Sequence, residues 1–147
     1  MSFPETILEF VSASAEETKL WGKNLANQVK AGQIIAFIGD LGAGKTTLIK
    51  GLVSTLNDIS ENQITSPTFN YLNIYPGKHP IYHFDLYRIK NETHFLEMGF
   101  DEYLDPKEGV TLIEWSEKIT PLLPSNTWVV HILSVSEEKR KITRLSL

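Results

Sequence analysis

Lys45 and Thr46 are the residues whose neighbours best equip them for chemistry. They close the run Gly39-Asp40-Leu41-Gly42-Ala43-Gly44-Lys45-Thr46, followed by Thr47, which fits the phosphate-binding pattern G-x-x-x-x-G-K-[ST]. The glycines let the backbone curl so that successive N–H groups converge on phosphate oxygens, at the positive end of the helix that follows. Lys45 can then reach the β and γ phosphates, and the Thr46 hydroxyl can ligate Mg²⁺. The chain is expected to bind a nucleoside triphosphate.

A phosphate-bound Mg²⁺ takes hard oxygen ligands, and the protein usually adds one carboxylate to the hydroxyl. Asp85 and Glu114 are the candidates. Asp85 comes near the end of the apolar-rich stretch 80–86, and Glu114 ends Val110-Thr111-Leu112-Ile113-Glu114. Each closes a strand, where the carboxyl edge of a sheet meets its ligand. One could ligate the metal while the other orients water or a switch loop, and the residues themselves leave the choice open. Downstream of the loop, Thr65-Ser66-Pro67-Thr68-Phe69 carries three hydroxyls, in a position suited to sensing a γ-phosphate. Histidines 79, 83, 94 and 131 show no metal-ligand spacing, and only His83 shares a strand face with Asp85.

The elements that must position these groups are readable in outline. Ile34-Ile35-Ala36-Phe37-Ile38 reads as a buried strand, and Leu48, Ile49, Leu52, Val53 and Leu56 recur at helical spacing. Upstream, residues 6–11 alternate as a strand, and Ser14 with Glu17 offers a capping box. The helix it opens carries Trp21, Leu25 and Val29 on one face, with Gly32 as its expected stop. Ser14 itself could border the nucleotide. Residues 68–75 and 80–86 read as a hairpin around Pro76-Gly77-Lys78-His79. Residues 91–104 read as short helix broken at Gly99, and 127–135 with 141–147 as a closing antiparallel pair. The expected fold is α/β: three layers of P-loop NTPase type, with a mixed, partly antiparallel central sheet and the loop strand at its centre.

Composition narrows the function. The 147 residues suit one domain, 1–147. A net charge of −4 argues against unaided nucleic-acid binding, and Lys139-Arg140-Lys141 reads as an exposed turn or strand. There is no cysteine, hence no disulfide or thiolate chemistry. No apolar run reaches the roughly 20 residues of a membrane span, and the first residues lack a signal peptide's pattern, so a cytoplasmic protein is expected. Arg88, Arg140 and Arg144 are the whole arginine supply, and no lid-like insertion interrupts the chain. Small-molecule kinases ordinarily gather several arginines around the transferring phosphoryl group. A kinase is therefore the weaker alternative, alongside a nucleotide-dependent binding module that needs no turnover.

Five segments together resemble the TsaE family: the phosphate loop, Thr65-Ser66-Pro67-Thr68-Phe69, His83-Phe84-Asp85-Leu86-Tyr87-Arg88, Glu97-Met98-Gly99-Phe100-Asp101-Glu102-Tyr103-Leu104 and Ile113-Glu114-Trp115. The resemblance implies an ATPase, binding ATP or ADP with Mg²⁺, that serves threonylcarbamoyladenosine synthesis in tRNA. It implies TsaD and TsaB as partner proteins, with tRNA met only through them. It implies Lys45, Asp85 and Glu114 as the catalytic group and residues 39–47 as the phosphate cradle. Thr46 and Glu114 become the metal ligands, Asp85 the Walker-B-like residue, 65–69 the switch-like loop, and Trp115 part of the site's surround or partner surface. The C-terminal strands match only loosely, leaving the adenine contacts unassigned.

Overall fold

The computed structural model describes residues 5–40, 42–67 and 69–146. In chain order these form β1 (Glu5–Ser12), α1 (Ala15–Ala26), β2 (Ile34–Ile38), α2 (Lys45–Asn57), β3 (Leu72–Tyr75), β4 (Ile81–Asp85), α3 (Glu92–Glu97), β5 (Val110–Glu114), β6 (Trp128–Ser134) and β7 (Arg140–Ser146). Short 3₁₀ segments lie at Glu61–Gln63, Phe100–Leu104 and Ser116–Leu122. The strands make one sheet in the order β1-β7-β6-β2-β5-β4-β3. β2 runs parallel to both its neighbours, β5 and β6, and β4 runs parallel to β5. The pairs β3–β4, β6–β7 and β1–β7 are antiparallel. The mixed sheet with the loop strand at its centre is as expected.

Alternation along the strands splits the core in two. Ile35, Phe37 and Leu112 face α1 and α2, packing with Trp21, Leu25, Leu48 and Leu52. Ile34, Phe84 and Ile113 face the other way, into a cluster with Phe95, Phe100 and Ile119 from α3 and the 3₁₀ segments. These are the three layers. The N-terminus of α2 carries no side-chain cap. Such a cap is worth about 1 kcal/mol, whereas each fully buried aliphatic side chain contributes roughly 1.5–3 kcal/mol. Leu48, Ile49, Leu52 and Val53 are all fully buried, so packing holds α2 and leaves its first N–H groups free for a ligand.

α1 and α2 meet backbone to backbone. A Cβ built on Gly22 would lie 2.2 Å from the Leu48 carbonyl oxygen, and one on Gly51 would lie 2.1 Å from that of Lys19. No other residue type fits at either point.

Some local expectations need correction. α1 ends at Ala26, well before Gly32; Val29 packs on the core from the turn beyond. Gly32, at φ 91°, instead donates its N–H to Gly109 and closes the approach to β2. Ser14 caps Glu17 N–H at 3.2 Å, but the Glu17 carboxylate accepts from Ala13 rather than from Ser14 itself. β3 is shorter than the alternation suggests. Tyr71 stands at φ 64° and its carbonyl takes the Asp85 N–H, so pairing as a strand starts only at Leu72.

Candidate nucleotide site

Strand register brings the two candidate carboxylates together. Glu114 lies opposite Phe37 of β2 on one side and opposite Asp85 of β4 on the other. Glu114 therefore borders the phosphate-loop strand, and Asp85 sits one strand further away. Both are buried at the carboxyl edge of the sheet.

The loop itself curls as its glycines allow. Gly44 stands at φ 105°, a conformation costly for any side chain, and hands the chain into α2 through Leu48 N–H to Gly44 O at 3.0 Å. Lys45 is buried, donates to the Gly39 carbonyl, and holds its ammonium 3.7 Å from the centre of the Trp115 ring. Burial pushes the Lys45 ammonium below its ordinary value, while Glu114 and more distant carboxylates oppose that shift. Trp115 is half-buried at φ 60°, its ring tilted 54° to that of Tyr87 at 5.0 Å, and it lines the cleft while packing on the edge of the second core cluster.

Hydroxyls join the carboxylates into one network. Thr46 Oγ1 lies 3.4 Å from Glu114 Oε1. Ser66 donates to Asp85 Oδ2 at 2.5 Å and is 3.2 Å from Glu114 Oε2. Asp85 Oδ1 accepts the Tyr87 N–H at 2.9 Å, and His83 Nε2 is 2.7 Å from Glu114 Oε2. A cleft of about 330 Å³ opens over Lys45, Thr46, Ser66, Asp85 and Glu114.

A second cleft, of about 190 Å³, flanks the loop on the side of β7, walled by Ala15, Thr18, Thr47, Glu137 and Glu138. Arg140 is the seam between this wall and the loop. Its guanidinium donates to the carbonyls of Ala43 at 2.9 Å and Gly42 at 3.4 Å. The same group holds Ser136 O at 2.9 Å, Glu137 O at 3.2 Å and Lys139 O at 3.0 Å. These contacts hold the Gly42 and Ala43 carbonyls on the Arg140 side of the loop.

Of the residues expected from sequence, Gly39, Asp40, Gly42, Ala43, Gly44, Lys45, Thr46 and Thr47 make the loop, and Asp85 and Glu114 meet beside it. Leu41 and Thr68 lie outside the described residues. Ser66 turns inward to the carboxylates, whereas Phe69 is 76% exposed with the Arg88 guanidinium 4.4 Å from its ring. The basic run 139–141 does span a turn and the start of a strand, but its middle side chain reaches the phosphate loop. Neither the return of Arg140 onto the phosphate loop nor the place of Thr18 in the smaller cleft is marked by a local sequence pattern.

Among the described residues, no three His, Cys, Asp or Glu side chains gather into a metal cage. The oxygen donors over the loop are the Thr46 and Ser66 hydroxyls and the Asp85 and Glu114 carboxylates. That hard, incomplete set suits Mg²⁺, which takes its remaining ligands from phosphate and water.

A parallel strand leading into a glycine loop, with a buried lysine and a carboxylate on the adjoining strand, defines a P-loop protein of the nucleotide-binding type. The model of the TsaE family, threonylcarbamoyl adenosine biosynthesis protein TsaE, matches residues 12–142. The chain is 35% identical over 133 residues to the tRNA threonylcarbamoyladenosine biosynthesis protein TsaE of Treponema pallidum, covering 90% of this chain and 96% of that protein. It is 43% identical over 131 residues to the protein of the same description from Synechocystis, covering 82% and 77%. For the Bacillus subtilis protein so described the identity is 36% over 137 residues, covering 92% and 84%. The crystal structure of Bacillus subtilis YdiB matches with a TM-score of 0.78 at 33% identity, over 99% of this chain and 88% of that one. The chain belongs to the TsaE family, whose role lies in threonylcarbamoyladenosine biosynthesis. Among the described residues no helix is long and apolar enough to cross a membrane.

Proposed function

We propose that this protein binds and slowly hydrolyses ATP as an accessory component of tRNA threonylcarbamoyladenosine synthesis, acting with TsaD and TsaB in the cytoplasm. The observation that carries the ATP reading is the 3.4 Å approach of Thr46 Oγ1 to Glu114 Oε1 beside the buried Lys45. Hydroxyl, carboxylate and ammonium converge there on one small volume.

In this reading the loop N–H groups and Lys45 grip the β and γ phosphates, and Lys45 leaves the face of Trp115 to do so. Thr46 and Glu114 hold Mg²⁺, which when bound neutralises phosphate charge as it develops. Ser66 and Asp85 orient groups at the outer end of the cleft. The nucleoside half lies in the smaller cleft, where Glu137 and Glu138 would repel phosphate but tolerate a neutral base. Among the described residues no arginine side chain walls the larger cleft, which fits slow intrinsic turnover and a partner-completed site. An acidic chain that relies on TsaD and TsaB has no need to grip tRNA itself.

ATP turnover by the purified protein, alone and with TsaD and TsaB, tests this with Lys45→Ala as the blank. Turnover that rises with the pair supports the proposal. A rate equal to the Lys45→Ala blank in both settings removes it.

A further inference from the structure

One fully buried histidine plays no part in gripping phosphate, yet both its ring nitrogens are engaged. His83 sits on β4, with Nε2 2.7 Å from Glu114 Oε2. Its Nδ1 is 3.5 Å from the hydroxyl of Tyr75, on the neighbouring strand β3. That hydroxyl accepts the Thr65 N–H at 3.3 Å and lies 3.2 Å from the Thr65 carbonyl oxygen. Asn73 Nδ2 donates to the same carbonyl at 3.1 Å. The loop carrying Ser66 is thus fastened twice. Ser66 is tied to the two carboxylates directly, and the Thr65 backbone is tied to Glu114 through Tyr75 and His83.

We propose that His83 and Tyr75 are positioning residues that couple the carboxylate of Glu114 to the loop 65–67, so that a cation at Thr46 is registered as a change in that loop. The inference rests on the Mg²⁺–nucleotide reading above. Two features of the geometry support it. First, His83 engages Oε2 and leaves Oε1 facing Thr46, so the carboxylate is pre-oriented to offer one oxygen to a metal. Second, the Tyr75 hydroxyl has one proton and two acceptors, Thr65 O and His83 Nδ1. Movement of the imidazole with Glu114 alters the longer of these contacts and with it the acceptor that the hydroxyl proton favours. The two acceptors give the Thr65 backbone two hydrogen-bonding states, which coupling between sites requires. Phe69 follows in the chain, exposed and flanked by Arg88, so the loop's position also sets what the molecule presents at its surface.

A buried histidine and tyrosine could simply fill space, and the test separates the two roles without relying on turnover. Hydrogen exchange of the segment 64–70 is measured with ADP alone and with ADP plus Mg²⁺, and ADP affinity is measured by calorimetry in both conditions. In the wild type, Mg²⁺ should tighten ADP and change the segment's exchange severalfold. Tyr75→Phe removes one oxygen and keeps the ring. It should leave metal-free ADP affinity within about threefold while abolishing the exchange response to Mg²⁺. His83→Ala should lower the Mg²⁺-dependent tightening by about tenfold or more. His83→Gln, which keeps a donor for Glu114, should restore the tightening but not the exchange response. An exchange response in Tyr75→Phe equal to the wild type, or a metal effect unchanged in His83→Ala, overturns the coupling and leaves the nucleotide site intact. Absence of any Mg²⁺ effect on ADP affinity in the wild type overturns the metal reading and this proposal with it.

Discussion

The two clefts that flank the phosphate loop are built on opposite principles. The larger one is walled by ionisable and hydroxyl side chains bonded to one another: Ser66 to both carboxylates, Glu114 to His83, Thr46 to Glu114. The smaller one joins Ala15, Thr18 and the loop to the exposed carboxylates of Glu137 and Glu138, and its one guanidinium spends its hydrogen bonds on carbonyls. Thr18 there looks inward, with its hydroxyl 2.7 Å from Ser12 Oγ. Charge that is held by partners in a low-dielectric setting can act on a polyphosphate and its cation. A wall whose charge is two exposed carboxylates disfavours phosphate. The loop lies between them, so the proposed nucleotide would set its phosphates toward one and its nucleoside toward the other.

The largest effect that would break this contrast is in the charged cleft. Lys45→Ala should reduce ATP turnover about a hundredfold or more, because the phosphates lose their main cation. A normal rate would mean the charged cleft is not the phosphate site. Glu114→Ala should remove about a tenfold share of the Mg²⁺-dependent tightening of ADP, leaving metal-free ADP affinity within about threefold in calorimetry. Equal losses with and without metal would make Glu114 a packing residue instead.

On the other side, Ala15→Trp places bulk at the exposed start of α1, on the rim of the smaller cleft. ADP should weaken about tenfold, some 1.4 kcal/mol, while pyrophosphate binds as to the wild type. Parallel losses of both ligands would merge the two clefts into one site.

The smallest effect sharpens the electrostatic side. Lys45 has its pKa lowered in the folded protein from 10.5. Between that lowered value and 10.5 the unfolded chain binds more protons than the native one, so this lysine's effect on stability becomes more favourable as pH rises through the window. Phosphates favour the charged ammonium, so ADP binding should take up protons there and weaken with rising pH. Calorimetry in alkaline buffers of different ionisation heat reads this uptake, and Lys45→Met should abolish it.

How much of this was legible in sequence follows the distance over which each feature is specified. The phosphate loop is made by consecutive residues, so its pattern carried its structure with it. The choice between Asp85 and Glu114 could not be made from the strands themselves, because both end in a carboxylate. Their distances from the loop strand depend on which strand pairs with β2, and the sheet puts β5 there. Gly32 misled as a helix stop because a positive-φ glycine serves a turn as well as a C-cap. Arg140 and the smaller cleft were invisible for a different reason. Their walls come from α1, the loop and the β6–β7 turn, and nothing local distinguishes an arginine that folds back from one that faces water. His83 stood out only by sharing a face with Asp85; its hydrogen bond to Glu114 is a cross-strand fact.

The glycine contact between α1 and α2 fixes a gauge. With no side chains to cushion Gly22 against Leu48 or Gly51 against Lys19, the two helices behave as one beam. α2 begins at the jaw that would close on phosphate, and α1 carries Ala15 and Thr18 at the other jaw. The opening between the jaws is therefore set like that of a caliper locked at one width. A ligand that spans both jaws would meet an opening set by this helix pair.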